Sequence, residues 1–326
     1  MTEVLITGGA GYIGSNTVKT FLDKGFRVFV VDNLSTGHQS LVDKRAEFVN
    51  LDLLDTQGVD EFFLKHPSIE IVVHFSGCSQ VGESMTNPQK YYDNNVYAGI
   101  NLLRSMLLIG CKKIIFSSSA AVYGEPESCP ISEDAAVKPI SVYGKTKAMF
   151  EDLLALFNEN FDLNYFALRY FNAAGASSDG LAGEIHDPET HLIPSILKSL
   201  NENRSFKIFG DDYPTKDGTC VRDYIHVSDL AEAHLLAAEY LLNGGGSEVV
   251  NLGSGSGHSV KEIVDLAGKI CGHEVSFEMS PRREGDPAVL LASNQKAKNV
   301  LNWSPKLGIE EMIESAWKFE IGRVKL

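Results

Sequence analysis

Nothing in this chain offers a disulfide framework. Its five cysteines, Cys78, Cys111, Cys129, Cys220 and Cys271, are odd in number, scattered, and nowhere spaced as C-x-x-C, the pattern that small oxidised scaffolds and zinc knuckles require. Basic charge is scarce: 29 lysines and arginines face 43 acidic residues, for a formal charge of -14. That balance excludes a general nucleic-acid binder, because a phosphate backbone demands a basic surface. It leaves small anionic ligands open, since a few local arginines bind phosphate on an acidic protein. No uninterrupted apolar stretch approaches the length needed to cross a bilayer, so no membrane association is expected. The opening "MTEVLITGG" passes straight into a strand pattern, without the basic and apolar regions of a signal peptide. The expected location is cytoplasmic. Internal repeats and low-complexity tracts are absent too.

What is present is an ordinary folding composition, 44% hydrophobic and 22% charged over 326 residues, enough for a large core. The runs "EVLITGG", "RVFVVDN", "AEFVNLD", "IEIVVHFSG" and "KKIIFSSS" are near-continuous and apolar and end in Gly, Asp or Ser, as buried strands do. Between them lie the helix patterns "SNTVKTFLDKG", "TQGVDEFFLKH" and "NVYAGINLLRSMLLIG". Such alternation predicts an α/β fold with a doubly wound parallel sheet (Rossmann type) whose ligands sit at the strands' carboxyl ends. After a long amphipathic helix beginning "YGKTK" and a strand "NYFALRYFN", the stretch "AAGASSDGLAGEIHDPETH" has no clear periodicity. The transition is placed there, giving a dinucleotide-binding domain over 1–176 and a smaller mixed α/β substrate domain over 177–326. The chain is expected to return to the first domain around 221–254.

"GGAGYIG" follows the first strand and opens the first helix. Gly9, Gly11 and Gly14 fit G-x-G-x-x-G, and Gly8, Gly11 and Gly14 fit a variant spacing. These glycines permit a tight turn and close backbone approach to a pyrophosphate at a helix N-terminus. Asp32 ends the second strand, where dinucleotide folds place the acid that binds the adenosine ribose; an acid there bonds the 2′-hydroxyl and repels a 2′-phosphate, favouring NAD over NADP. Asp52, at the end of the third strand, is placed to approach the adenine.

In "SVYGKTK" the spacing puts Tyr143 and Lys147 on one helix face, and of the eleven tyrosines only Tyr143 has a lysine four residues on. The fifth strand ends in Ser119. A hydroxyl, a phenol and an ammonium near one sheet edge form a set able to move a proton while a nicotinamide moves a hydride.

Through "GGAGYIGS", "VDNLSTG", "YYDNNV", "FSSSAAVYG", "YGKTK", "RYFNAAGA", "DGTCVRDYIHVSDLA", "NLGSG" and "RREGDPA", the chain resembles the extended short-chain dehydrogenase/reductase family and, within it, the UDP-galactose 4-epimerases. The resemblance implies epimerisation at carbon 4 of a UDP-hexose through a 4-keto intermediate, with tightly bound NAD. It makes Tyr143 the base, assisted by Ser119, with Lys147 and the positive nicotinamide lowering the phenol's pKa. It also implies cofactor contacts from Gly8, Gly11, Tyr12, Ile13, Gly14, Asp32, Asn33, Asp52, Leu53, Phe75, Gly77, Asn95, Ser117 and Tyr170, together with Tyr143 and Lys147. Substrate contacts would come from Ser119, Tyr143, Asn172, His191, Leu192, Phe209, Arg222, Arg283, Asp286 and Val289, the arginines on the pyrophosphate and Phe209 near the uracil. No metal is implied. Val289, where strict hexose enzymes carry a bulky tyrosine, implies that UDP-N-acetylhexosamines are accepted as well. Many relatives are homodimers, which the apolar helices beginning "NVYAG" and "YGKTK" would serve. Rival readings are another UDP-sugar enzyme of this scaffold, such as a UDP-N-acetylglucosamine or UDP-uronate 4-epimerase, and a non-catalytic NAD-sensing protein. A 4,6-dehydratase is disfavoured, because alanines occupy the place of its acidic pair in "SSSAAVY".

Overall fold

The computed structural model describes residues 1–282 and 287–323. By contacts the chain divides into two units, the first formed by Met1–Gly124, Ala136–Arg169 and Ala231–Val250, the second by Glu125–Ala135, Tyr170–Leu230 and Asn251–Leu326.

The first unit is built on a seven-stranded sheet. Its chain order is β1 (Glu3–Thr7), α1 (Tyr12–Asp23), β2 (Arg27–Asp32), β3 (Glu47–Asn50), α2 (Thr56–Lys65), β4 (Ile69–His74), α3 (Val81–Thr86), α4 (Pro88–Tyr92), α5 (Ala98–Leu108), β5 (Lys113–Ser119), α6 (Val142–Phe161) and β6 (Asn164–Tyr170). The sheet reads β3-β2-β1-β4-β5-β6, with a last strand, β10 (Glu248–Leu252), beside β6. The pairs β1·β2, β1·β4, β2·β3 and β4·β5 are parallel. This is the doubly wound order expected from the strand-helix alternation. Strand order reverses between β1 and β4, the switch point beside which such sheets bind ligands.

Burial follows from the composition of the strands. Leu5, Phe29, Val72, Ile114 and Phe116 are essentially inaccessible and pack with Leu102 and Leu103 of α5 and Phe150 and Leu154 of α6. Each such side chain contributes roughly 1.5–3 kcal/mol when fully buried. Helix α6 is amphipathic: Phe150 and Leu154 face the sheet, while Met149, Leu156 and Phe161 face outward. The pattern "NVYAG…" enters helix through a π-helical turn, Asp93–Tyr97, rather than as one continuous α-helix.

The second unit holds β7 (Asn172–Ala174), α7 (Leu192–Asn201), β8 (Phe206–Phe209), β9 (Val221–His226), β11 (Gly257–Ser259), α9 (Val260–Cys271), β12 (Phe277–Ser280), β13 (Val289–Leu290), α10 (Gln295–Leu301) and α11 (Ile309–Arg323); α8 (Val227–Leu242) leads from β9 back to the first unit. Strand β9 is central, pairing with β7, β11 and β13, and β8 pairs with β12. In "VRDYIHVSDLAEAHLLAAEYLL" strand and helix abut without a loop, and His226 Nδ1 accepts from the Ser228 amide at 3.0 Å in the first turn of α8. A capping box starts α9: Ser259 Oγ accepts from the Glu262 amide, and Glu262 accepts from the Ser259 amide. Among the described residues no helix is long and apolar enough to cross a membrane.

Candidate active site

The glycine turn lies at the switch point. Gly8 has a φ of 72°, and a Cβ on it would come within 2.6 Å of the Ser76 nitrogen, just past β4. A Cβ on Gly14 would sit 2.2 Å from the Gly8 carbonyl oxygen, so helix and turn touch through bare backbone. Gly11 is the N-cap of α1 and puts no side chain over the first-turn amides, which include those of Tyr12 and Ile13. This surface of unobstructed N–H groups suits a pyrophosphate.

Asp32 closes the same site. Its Oδ2 accepts from the Ala10 amide at 3.0 Å and its Oδ1 from the Leu34 amide at 2.8 Å, which fix the carboxylate while leaving lone pairs for ribose hydroxyls. Asn33 Nδ2 donates to Asp52 at 2.9 Å, and Leu53 beside it is buried. Phe75 continues β4, its ring 4.6 Å from that of His234. Gly77, with a φ of 151°, lies against the Asn95 side chain. Asn95, in the π-helical turn, is buried and ties Cys78 through both backbone atoms, accepting from its amide at 2.7 Å and donating to its carbonyl at 3.0 Å. Tyr170 ends β6 and is half-buried.

The proton-moving set has a local cause as well. Ser141 caps α6, accepting from the Gly144 amide at 3.0 Å, which starts the helix one residue before Tyr143. A Cβ on Gly144 would meet the Ala121 carbonyl oxygen at 2.4 Å. Only a glycine lets the first turn of α6 lie this close to the turn after β5. Tyr143 is thereby brought toward the Ser119 hydroxyl, whose nearness favours the phenolate. Lys147, buried at 5% exposure, donates from Nζ to the Ser117 carbonyl at 2.8 Å and lies 4.9 Å from the Phe116 ring centroid and 5.7 Å from that of Tyr143. Burial raises the phenol of Tyr143, with the nearby Ser119 hydroxyl opposing. Burial pushes the ammonium of Lys147 down to about 8. In the chain by itself, Lys147 does not outweigh the desolvation of Tyr143. The downward shift that the resemblance implies needs further positive charge, as a nicotinamide cation would bring.

Four residues that the sequence reading missed support this set. Glu151, one turn beyond Lys147, is buried and receives Ser118 Oγ at 2.5 Å and Arg169 Nε at 2.9 Å. Arg169 also donates to the Tyr123 hydroxyl at 2.9 Å. Tyr143, Lys147 and Glu151 thus continue one stripe at a spacing of four, and extending the Y-x-x-x-K pattern by four positions would have found the acid.

The remaining expected residues lie in the second unit. Asn172, exposed at the start of β7, donates to the Asp223 carbonyl at 2.8 Å. Arg222 on β9 donates to the Val221 and Pro287 carbonyls at 2.9 and 2.8 Å. Phe209 ends β8, opposite Ser280, and Val289 begins β13, opposite Val221. Leu192 opens α7 and is half-buried, and His191 before it binds Glu184 through Nδ1. Arg283 and Asp286 lie outside the described residues.

With this geometry in hand, comparison with known proteins is decisive. Residues 4–253 match the profile of the NAD dependent epimerase/dehydratase family. The chain belongs to that family. A UDP-glucose 4-epimerase of Halalkalibacterium halodurans is 48% identical over 97% of this chain and 95% of its own length. Among solved structures, a UDP-glucose 4-epimerase from Brucella ovis in complex with NAD superposes with a TM-score of 0.94 at 45% identity, covering 97% of this chain and 98% of the other. One from Bifidobacterium longum in complex with NAD+ and UDP gives 0.93 at 37% identity, covering 99% of each. Membership of the epimerase/dehydratase family makes this chain an NAD-dependent enzyme, and the glycine turn and Asp32 fit that cofactor.

Proposed function

We propose that this chain is an isomerase that interconverts the carbon-4 epimers of a UDP-hexose, UDP-galactose and UDP-glucose, with NAD retained through turnover. The observation that carries the reading is the Ser119 hydroxyl and the Tyr143 phenol brought together beside buried Lys147, at the carboxyl edge of the sheet that also presents the glycine turn and Asp32. Tyr143 takes the proton of the sugar's 4-hydroxyl and later returns it, while Ser119 holds the same oxygen and relays the proton. Lys147, fixed by the Ser117 carbonyl, keeps a positive charge near the phenolate and bonds the nicotinamide ribose. The chemistry NAD supplies when bound is reversible two-electron oxidation at carbon 4. Because the 4-keto sugar must turn over before it is reduced on its other face, the chain grips the UDP and leaves the hexose lightly held. Arg222 and Arg283 are assigned to the pyrophosphate, Asn172 to a phosphate or sugar oxygen, Phe209 to the uracil, and His191, Leu192 and Asp286 to the UDP-sugar.

The enzyme acts in the cytoplasm as a homodimer, a reading supported by the outward apolar side chains Tyr97, Leu108, Met149 and Leu156 on or next to α5 and α6; a monomer by light scattering at working concentration would end it. Val289 is assigned to the sugar site, where its small side chain would admit UDP-N-acetylhexosamines. The test is incubation of purified protein with UDP-galactose and no added NAD, with the anomeric protons followed by NMR. Conversion to UDP-glucose without net NADH is expected. No conversion even with NAD added would refute the reaction, and turnover of UDP-galactose without turnover of the acetylated sugar would refute only the Val289 assignment.

A further inference from the structure

We propose that the loop between β7 and α7 binds a divalent transition-metal ion of the zinc class on Glu184, His186, Glu189 and His191. One ligand atom from each of these four side chains lies within 4.8 Å of all the others. Glu184 Oε1 is 3.1 Å from His186 Nδ1, Glu189 Oε2 is 3.9 Å from His186 Nδ1, and Glu189 Oε1 is 3.7 Å from His191 Nδ1. Donors held tetrahedrally at zinc's ordinary nitrogen and oxygen bond lengths lie about 3.3 Å apart. With no pair of these atoms beyond 4.8 Å, shifts of about 1 Å per side chain, within the reach of small torsional adjustments, would bring the four to that spacing.

Charge points the same way. The side chains of Glu184 and Glu189 are only 5% and 8% exposed, and among the described residues neither carboxylate has a lysine or arginine ion pair. Two adjacent buried carboxylates call for compensating positive charge. A divalent ion with two neutral imidazoles would balance them, and two nitrogens with two oxygens suit zinc better than magnesium or calcium, which take oxygen-only shells. Both histidines offer Nδ1, so ligation leaves Nε2 of His191 able to donate elsewhere, as its proposed place near the substrate requires.

The ion would be structural, with four protein ligands and no open position. His191 is the N-cap residue of α7 and gives that helix no side-chain cap. Fastening it to Glu184 and His186 would anchor an otherwise aperiodic loop to the head of the helix. This inference does not rest on the proposed reaction.

The full chain, purified by gel filtration from zinc-supplemented medium, should carry close to one zinc per chain by elemental analysis. After stripping with a chelator it should take zinc up again against a chromophoric competitor, with magnesium and calcium giving no uptake. His186→Gln and Glu189→Gln should each weaken zinc at least about tenfold with an unchanged far-ultraviolet spectrum. Cobalt substituted into the stripped protein should give tetrahedral d–d bands without thiolate charge transfer. Should either variant fail to fold, the cobalt spectrum of the unaltered chain decides. Absence of zinc uptake, equal affinity in both variants, or a thiolate band marking a cysteine site would overturn the proposal.

Discussion

Replacing Glu151 with Gln keeps the side chain's shape and removes one charge, leaving the Arg169 guanidinium buried without its counterion. Arg169 contacts the carboxylate in a fork, Nε at 2.9 Å from Oε1 and Nη2 at 2.5 Å from Oε2, and the two side chains are 7% and 9% exposed. Two routes give the magnitude. Unit charges about 4 Å apart at an effective dielectric near 20 interact by about 4 kcal/mol, and removal of one partner of a buried pair costs about 3–5 kcal/mol. Against total stabilities of about 5–15 kcal/mol this is a large fraction. Urea unfolding followed by circular dichroism should therefore show Glu151→Gln destabilised by about 3–5 kcal/mol, with the double variant Glu151→Leu, Arg169→Met recovering much of the loss because no charge is left unpaired. Turnover should fall too, since Lys147 and Tyr143 stand one and two turns earlier on the same helix. A single variant that loses less than about 1 kcal/mol, or a double variant as weak as the single, would refute the argument.

Gly14→Ala drives a Cβ to 2.2 Å from the Gly8 oxygen, so the variant should lose about 1–3 kcal/mol of stability and most of its bound NAD, measured as nucleotide released on denaturation. Tyr143→Phe should lower kcat for UDP-galactose by about 10²–10⁴ with little change in KM, followed by NMR. Lys147 titrates near 8 in the folded chain against 10.5 for an ordinary lysine, so between these values the unfolded state holds more protons and stability from this group rises with pH. In NAD-free protein the stability of the natural chain relative to Lys147→Met should therefore rise as pH goes from about 8 to about 10.5 and level off above, read from unfolding midpoints; a relative stability independent of pH would contradict a depressed ammonium.

The first unit was legible in the sequence because its inner strands, β1, β2, β4 and β5, are buried on both faces, although the edge strand β3 is half-exposed. "EVLITGG" and "IEIVVHFSG" stand out as apolar runs, and the glycines and Asp32 fall at their carboxyl ends. The second unit was less legible for a physical reason: β7, β11 and β13 are two or three residues long, too short to carry a period, and are strands only because β9 pairs with them. "VRDYIHVSDLAEAHLLAAEYLL" hid its junction because strand and helix abut without turn residues. Glu151 and Arg169 escaped notice because their meaning lies in each other, on different elements. The four-ligand loop escaped for the same reason, its "EIHDPETH" looking like polar connection until the chain folds it inward.

Strand β10 also bears on how the protein is made. It sits at the sheet edge beside β6, yet on the ribosome it emerges only after the whole segment Tyr170–Leu230 of the other unit has been translated. The nascent sheet must wait with an unpaired edge, a state prone to wrong partners. Because each unit is assembled from three separate stretches of chain, neither can be excised as a single contiguous fragment. Attempts to express a minimal cofactor-binding module by truncation after β6 should therefore yield an aggregating polypeptide, whereas a version in which a short linker joins β6 directly to α8 would restore the missing edge.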